Sequence, residues 1–430
     1  MNKSFARLQW DSRSEQAVSK AGHLIKTSIL SGFGKPSKER NKLILGDNLE
    51  IFSNLLAEYE TKFDLIYIDP PFLTGKQYRA RIGRNEDSRR PEKWAVKRVY
   101  QDTWRDGADY LDMLYPRLKI MHHLLAPTGT LYLHLDWHAS AYARVLLDEV
   151  FGRDRLLNEI IWVYHGPSPI RSAFNRKHDT ILVYTKSSEY TFNVDDVRIP
   201  YSPSTLKTFA SSTKAGFGKV PNLEQGKVPE DWWYFPVVAR LHNERTGYPT
   251  QKPEALMERI ILASSNPGDL IGDFFCGSGT TLSVAQRHGR KWIGCDSVPL
   301  AIMTAYRRLL LMDKRAEIEL YQTSAYPTNN TFHPEADLQI VGKSATILLK
   351  GIRGGTIIPF PECINIIEVD WNFDGQIFSS QDQSVRGWRD DDLKMTLSHT
   401  YEKTGAYQVV VRCSDQEGSS GTLEFDVLIE

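Results

Sequence analysis

The sequence is poor in cysteine and has no long apolar run and no net charge. Its four cysteines, Cys276, Cys295, Cys363 and Cys413, are too scattered for a zinc ligand set or a disulfide framework, and a reducing compartment fits them. No stretch approaches the roughly 18 apolar residues of a membrane span. The polar, mildly basic start, Met1 to Arg40, has no apolar leader core. These absences lead us to expect a cytosolic protein with no membrane partner. Hydrophobic content of 41% and charged content of 25% belong to an ordinary globular chain, and 430 residues suffice for two or three domains.

The zero net charge conceals an asymmetry. Residues 332–430 carry 16 acidic and 8 basic residues, a net −8, which leaves +8 on the rest. The basic part can face a polyanion, whereas the acidic end is suited to other contacts.

Phe63 to Ile68 is an apolar, β-prone run that reads as a buried parallel strand. It ends in Asp69-Pro70-Pro71-Phe72. The two prolines stop the strand and stiffen the turn, because proline lacks an N–H and fixes φ. Such a turn can present the Asp69 carboxylate and the Pro70 carbonyl as two fixed acceptors beside an aromatic face. An exocyclic amino group of a nucleobase needs this arrangement, because its lone pair is delocalised into the ring. Phe72 could stack on that base. The plainer reading is a tight turn with a strand-end acid.

A strand over Leu43–Leu45 leads into a helix with Leu49, Phe52, Leu55 and Leu56 on one face. Asp47 or Asn48 could be its N-cap, or a strand-end acid facing a ligand crevice. Leu73 to Tyr100 holds nine basic residues against three acidic ones, shows little periodicity and reads as a long loop. Lys76, Arg79, Arg81, Arg84, Arg89, Arg90 and Lys93 are its candidate phosphate contacts. Helices are expected over 109–125 and 139–151. Strands are expected over 129–136, 160–164 and 180–184, the last two forming an antiparallel edge. Residues 186–249 look like an insertion.

Pro253 is expected at the first position of a helix with Leu256, Ile260 and Ile261 on its apolar face. Asp269 to Thr281 reads as strand, Gly-rich turn and helix. The next strand, Lys291 to Cys295, ends in Asp296, where an acid can meet ribose hydroxyls. The loop Gly277-Ser278-Gly279-Thr280-Thr281 is not G-x-G-x-x-G, and no Gly-Lys-Ser/Thr follows it. A nucleoside without phosphate, such as S-adenosylmethionine, fits it better than a pyrophosphate.

Asp69-Pro70-Pro71-Phe72, taken with Asp273-Phe274-Phe275-Cys276-Gly277-Ser278-Gly279-Thr280-Thr281, resembles the amino-group DNA methyltransferases. The catalytic motif precedes the cofactor motif. That order resembles the β group, which includes type III modification subunits and solitary adenine methylases. The likeness covers roughly residues 40–312 and extends to Leu45 to Glu50, Tyr115 to Leu118, Gly129 to His134 and Gly247 to Pro253. It implies a Rossmann-like, seven-stranded α/β methyltransferase fold in circularly permuted order and S-adenosylmethionine as cofactor. It also implies a flipped adenine in double-stranded DNA as substrate and a cytoplasmic, prokaryotic or phage setting.

By that resemblance Asp69, Pro70, Pro71 and Phe72 are catalytic. Phe275, Gly277 and Gly279 line the methionine end of the cofactor, with Asp273, Cys276, Ser278, Thr280 and Thr281 in the same motif. Asp296 takes the ribose hydroxyls, and Asp47, with Asn48 beside it, the adenine amino group. Thr250, Gln251, Lys252 and Pro253 close the pocket. Phe274 stands where the family usually has proline, and Asp296 where glutamate is frequent.

The domain reading that follows is an N-terminal extension to 40, a catalytic half over 41–164 and a target-recognition segment over 165–249. A cofactor half over 250–316, a linker over 317–334 and a C-terminal β-sandwich over 335–430 complete it. Val369 to Gly375 and Ser398 to Val409 make that last domain resemble the PKD-type immunoglobulin-like sandwich. No metal is expected. A homodimer or a restriction or accessory subunit would be the further partner. Cytosine-N4 methylation is the nearest rival activity, though serine commonly replaces the motif's aspartate in that family. A catalytically idle DNA-binding or scaffold subunit is the rival from another class.

Overall fold

The computed structural model describes residues 6–14, 22–30, 40–83, 94–167, 170–211, 222–239, 242–312, 317–326, 332–354, 358–388 and 393–430. Chain order begins β1 Leu24–Leu30, β2 Asn41–Leu45, α1 Asn48–Tyr59, β3 Phe63–Ile68, β4 Lys76–Gly83, β5 Trp94–Asp102 and α2 Gly107–Leu124. It continues β6 Leu125–Leu135, α3 Ser140–Phe151, β7 Leu156–Val163, β8 His178–Thr185, α4 Pro203–Ser211 and β9 Trp232–Tyr234. Then come α5 Glu254–Ser264, β10 Leu270–Asp273, α6 Thr280–Arg287, β11 Lys291–Asp296, α7 Pro299–Met312 and β12 Ile318–Thr323.

These strands build one mixed sheet, which with β16 (Phe378–Ser380) runs β16-β1-β12-β2-β11-β10-β3-β6-β8-β7-β9. The expected α/β sheet is thus widened to eleven strands among the described residues. From β12 to β6 neighbours are parallel, and β8 returns antiparallel on β6. The central strands are apolar on both faces because helices cover both: Leu65, Ile66 and Ile271 are fully buried. Consequently the C-terminal ends of β2, β3, β6, β10 and β11 share one edge, where an open α/β sheet holds its ligand. Asp47, Asp69, Asp136, Asp273 and Asp296 all lie there.

Several stretches differ from the sequence reading. Within the expected loop Leu73 to Tyr100, the described residues carry β4 and most of β5, which pair as an antiparallel ribbon. Its outer residues are charged, so no apolar alternation marked it. β1 lies in the segment expected to be a patternless extension, and β12 lies in the expected linker; they pair with each other, and β12 also pairs with β2. β8, expected as a strand antiparallel to β7, is one, and it belongs to the main sheet although the expected recognition segment spans it. Pro253 has ψ 140° and caps α5 instead of entering it.

The remaining strands are β13 Phe332–Val341, β14 Ser344–Gly354, β15 Ile364–Asp370, β17 Asp382–Val385, β18 Thr396–Thr400, β19 Gly405–Asp415 and β20 Ser420–Ile429. They form a β13-β14-β18 sheet and a β17-β15-β19-β20 sheet around Trp371, Val369, Val409 and Val411. This sandwich is joined to the main sheet, since β16 pairs in parallel with β1. Tyr306 donates to the buried Glu368 at 2.7 Å, and Arg412 donates to it at 2.7 Å. Arg307 donates to the Arg386 carbonyl and lies over Trp388. The acidic end also meets the basic ribbon, where Lys97 pairs with Glu417.

Candidate active site

β3 delivers Asp69 to the edge of the sheet. Lys252 Nζ sits 2.6 Å from Asp69 Oδ2, while Oδ1 is buried and has no hydrogen-bond partner among the described residues. Phe72 stacks on His134 with ring centroids 5.8 Å apart, so one face of the Phe72 ring is taken. His134 is itself fixed by Tyr67 at 2.8 Å and by Asp179 at 3.2 Å. Lys252 Nζ also lies 5.0 Å from the Phe72 centroid. Asp69, Pro70, Pro71 and Phe72 border a cavity of only about 20 Å³ with Tyr78, Tyr100, Asp102, Thr250 and Lys252. That is room for about one water. A planar ligand on Phe72 must therefore displace Lys252 or the stacked Tyr78–Tyr100 pair.

Beside it lies a cavity of about 400 Å³, within the range of small-molecule sites. Asp69 and Pro71 form one wall. Thr250, Gln251, Lys252, Asp273, Phe275, Cys276, Gly277, Ser278, Thr280, Thr281 and Asp296 form the others, with Tyr248, Tyr100 and Val298. Gly277 has φ 49°, and a Cβ there would meet the Tyr248 ring at 3.4 Å. The turn thus brings backbone to the cavity where a side chain would intrude. Asp296 accepts from the Gly277 and Val298 amides, each at 2.9 Å, which fixes its carboxyl at the cavity floor. Burial pushes the Asp296 carboxyl up to about 6. Burial likewise pushes Asp273 up to about 7, helped by the negative Asp69 and Asp296. Two acids held above their usual range, opening on a cavity of this size, suit a ligand that brings positive charge and hydroxyl donors. Burial also pushes the Cys276 thiol up, so it stays protonated and is no nucleophile.

Other expected residues sit elsewhere. Asp47 caps α1 by accepting from Leu49 N at 2.9 Å and pairs with Arg117 at 2.6 Å. Asn48 donates to the Phe274 carbonyl at 2.7 Å and accepts from Arg117. Neither lines the cavity; they brace the Phe274 turn from behind. Gly279 caps α6 at φ 71°, and Pro253 stands at the start of α5. Lys252, expected on the cofactor, lines the larger cavity and also reaches Asp69. Of the expected phosphate contacts, Lys76 and Arg79 are exposed on β4 and Arg81 lies on that strand. Arg84, Arg89, Arg90 and Lys93 lie outside the described residues. Among the described residues no acid–His–Cys cluster could hold a metal, and no helix is long and apolar enough to cross a membrane.

The sequence reading missed Tyr100, Asp102, His134, Asp179 and Tyr248. Tyr248 and His134 lie in stretches that match the family, but nothing local marked their contacts.

A family model for DNA methylases matches residues 63–306, more than half of the chain. The DNA adenine methyltransferase YhdJ of Escherichia coli K12 is 30% identical over 296 residues, covering 68% of this chain and 90% of that protein. The type II methyltransferase M.HpaI of Haemophilus parainfluenzae is 31% identical over 269 residues, covering 62% and 74%. Among solved structures, the M1.HpyAVI–SAM complex is 22% identical and covers 62% of this chain and 98% of that one, with a TM-score of 0.41. With the Asp69–Phe72 turn, the Gly-rich loop and the strand-end acids gathered on one sheet edge, and with a family match across both motifs, the chain belongs to the S-adenosylmethionine-dependent DNA methylases.

Proposed function

We propose that this enzyme methylates the exocyclic N6 of an adenine flipped out of double-stranded DNA. The carrying observation is Asp69, which lines the same cavity as Gly277 and Asp296 and whose buried Oδ1 has no hydrogen-bond partner among the described residues. An amino group is unreachable inside the stack, so the base has to leave it. It displaces Lys252 and stacks on the face of Phe72 that His134 leaves open. Asp69 takes one N–H and, by the stiff turn, the Pro70 carbonyl takes the other. Hydrogen bonds to both N–H groups favour a pyramidal nitrogen with a usable lone pair. Bound S-adenosylmethionine supplies a sulfonium methyl. The new N–C bond forms as the S–C bond breaks, S-adenosylhomocysteine leaves, and the surplus proton passes from the nitrogen to Asp69 or water. No covalent enzyme intermediate is required. Holding nitrogen and methyl in line supplies much of the rate.

Asp296 receives the ribose hydroxyls and Asp273 the cofactor's ammonium. Gly277, Phe275 and Thr250 enclose the rest. Lys76 and Arg79 on the ribbon meet phosphates, and the segment over 165–249 carries much of the sequence recognition. The aspartate of the catalytic motif supports adenine over cytosine-N4. The motif order supports a β-group enzyme of solitary or type III-like kind, working in a prokaryotic or phage-infected cytoplasm. The PKD-like sandwich braces β1 and α7 and offers a surface for a second subunit. The test is expression in a host without DNA methylation, followed by modification-sensitive sequencing of its DNA. Methylated adenine at one recurring sequence is the expected result; methylated cytosine, or no mark, overturns the proposal.

A further inference from the structure

Phe72 has to be aimed, and the turn that carries it is strained. Leu73, the next residue, has φ 65°, a left-handed conformation that a bulky side chain adopts only when its surroundings impose it. Three successive amides, those of Phe72, Leu73 and Thr74, point the same way. They converge on one fully buried carboxylate, Asp102, at 3.2, 2.9 and 2.8 Å. The Thr74 hydroxyl adds a bond of 2.6 Å and the Trp104 indole one of 2.9 Å. Five donors therefore share the two oxygens. Asp102 is the last residue of β5, thirty positions after Phe72, and no element of the main sheet supplies these acceptors.

We infer that Asp102 is the positioning residue of the catalytic turn: by binding the three amides it fixes the Phe72 ring at the angle on which the target base stacks. The inference rests on the proposed base-stacking role of Phe72. An ordinary buried, satisfied aspartate would stabilise the fold without setting that angle. Asp102 differs because its partners are the Phe72 amide and the two amides that follow it, the backbone on which the Phe72 ring is carried. An amide in its place offers one acceptor oxygen and turns an NH2 toward N–H donors. Leu73 would then relax toward negative φ and carry Phe72 with it.

The test is single-turnover methylation by the full chain, wild type against Asp102→Asn, Phe72→Ala and the double variant, with the dissociation constant for S-adenosylmethionine measured on each. Misplacement near 1 Å can cost about 10²-fold, so Asp102→Asn should slow the chemical step by about 10- to 100-fold. Cofactor affinity should stay within about twofold, since Asp102 does not line that cavity. Once Phe72 is alanine, adding Asp102→Asn should cost less than about threefold. Penalties that multiply, or a wild-type rate for Asp102→Asn, overturn the inference. If Asp102→Asn does not fold, Thr74→Val and Trp104→Phe each remove one donor and keep the charge. Each should slow the step several-fold, again only while Phe72 is present, and wild-type rates in both would overturn it. If the wild type marks cytosine, the adenine proposal fails, while the same cycle run on cytosine still decides the role of Asp102.

Discussion

Cofactor binding should be linked to proton release. Asp273 and Asp296 are held up at about 7 and about 6 by burial. A ligand that brings an ammonium, a sulfonium and two ribose hydroxyls favours their ionised forms. Binding therefore expels whatever protons these acids carry. At pH 6.5 Asp273 is about three-quarters protonated and Asp296 about one-quarter, so about one proton should leave per cofactor bound. Lowering the pH from 7 to 6 should weaken binding by about fivefold through Asp273 and about twofold through Asp296, about tenfold together. The cofactor's own amino group stays mostly protonated over that interval. Calorimetry in buffers of different ionisation enthalpy reads both the affinity and the proton count. Asp273→Asn should remove the larger part of the pH dependence. The sign for folding is the reverse. A carboxyl raised above its usual range stabilises the free protein at low pH, and that contribution is lost as pH rises through about 7. Asp273→Asn should accordingly make the free protein more stable at pH 8, by at most about 4 kcal/mol. A pH-independent dissociation constant, or proton uptake on binding, would refute the reasoning.

Further outcomes follow from the same geometry. Asp69→Ala should abolish methyl transfer and leave cofactor affinity within a few-fold by calorimetry, because Asp69 touches the cofactor cavity by one wall only. Neutralising Lys76 and Arg79 together should flatten the slope of log K against log[salt] for DNA by about 2, with the methylated sequence unchanged. Glu368→Gln removes the buried charge that Arg412 pairs with, so denaturant unfolding should show a loss of about 3 kcal/mol. A chain ending near Tyr326 should be destabilised, because it exposes the β1 edge that β16 covers and strips Tyr306 and Arg307 of their partners.

Much of this could be read in advance where local sequence and tertiary role coincide. β3, β10 and β11 are apolar because both of their faces are covered, and each ends in an acid because the sheet edge is where a ligand meets it. Gly277 announces a close backbone approach. The ribbon β4–β5 was hidden because Lys76, Gln77 and Arg79 face solvent, which leaves no apolar period to detect. β1 and β12 were hidden because short strands such as Leu-Ile-Lys-Thr-Ser-Ile-Leu owe their structure to their partners in the sheet. Lys252 lines the cofactor cavity as its motif implies, and its length also carries Nζ to Asp69, which nothing local signals. Asp102 and His134 were invisible as site residues because their partners lie 30 and about 60 positions away.

The most direct measurement is nucleoside analysis by mass spectrometry of DNA treated with the purified enzyme and S-adenosylmethionine, with Asp69→Ala in parallel. The account predicts N6-methyl-2′-deoxyadenosine with the wild type and none with Asp69→Ala. N4-methyl-2′-deoxycytidine in its place, or an undiminished yield from Asp69→Ala, would contradict it.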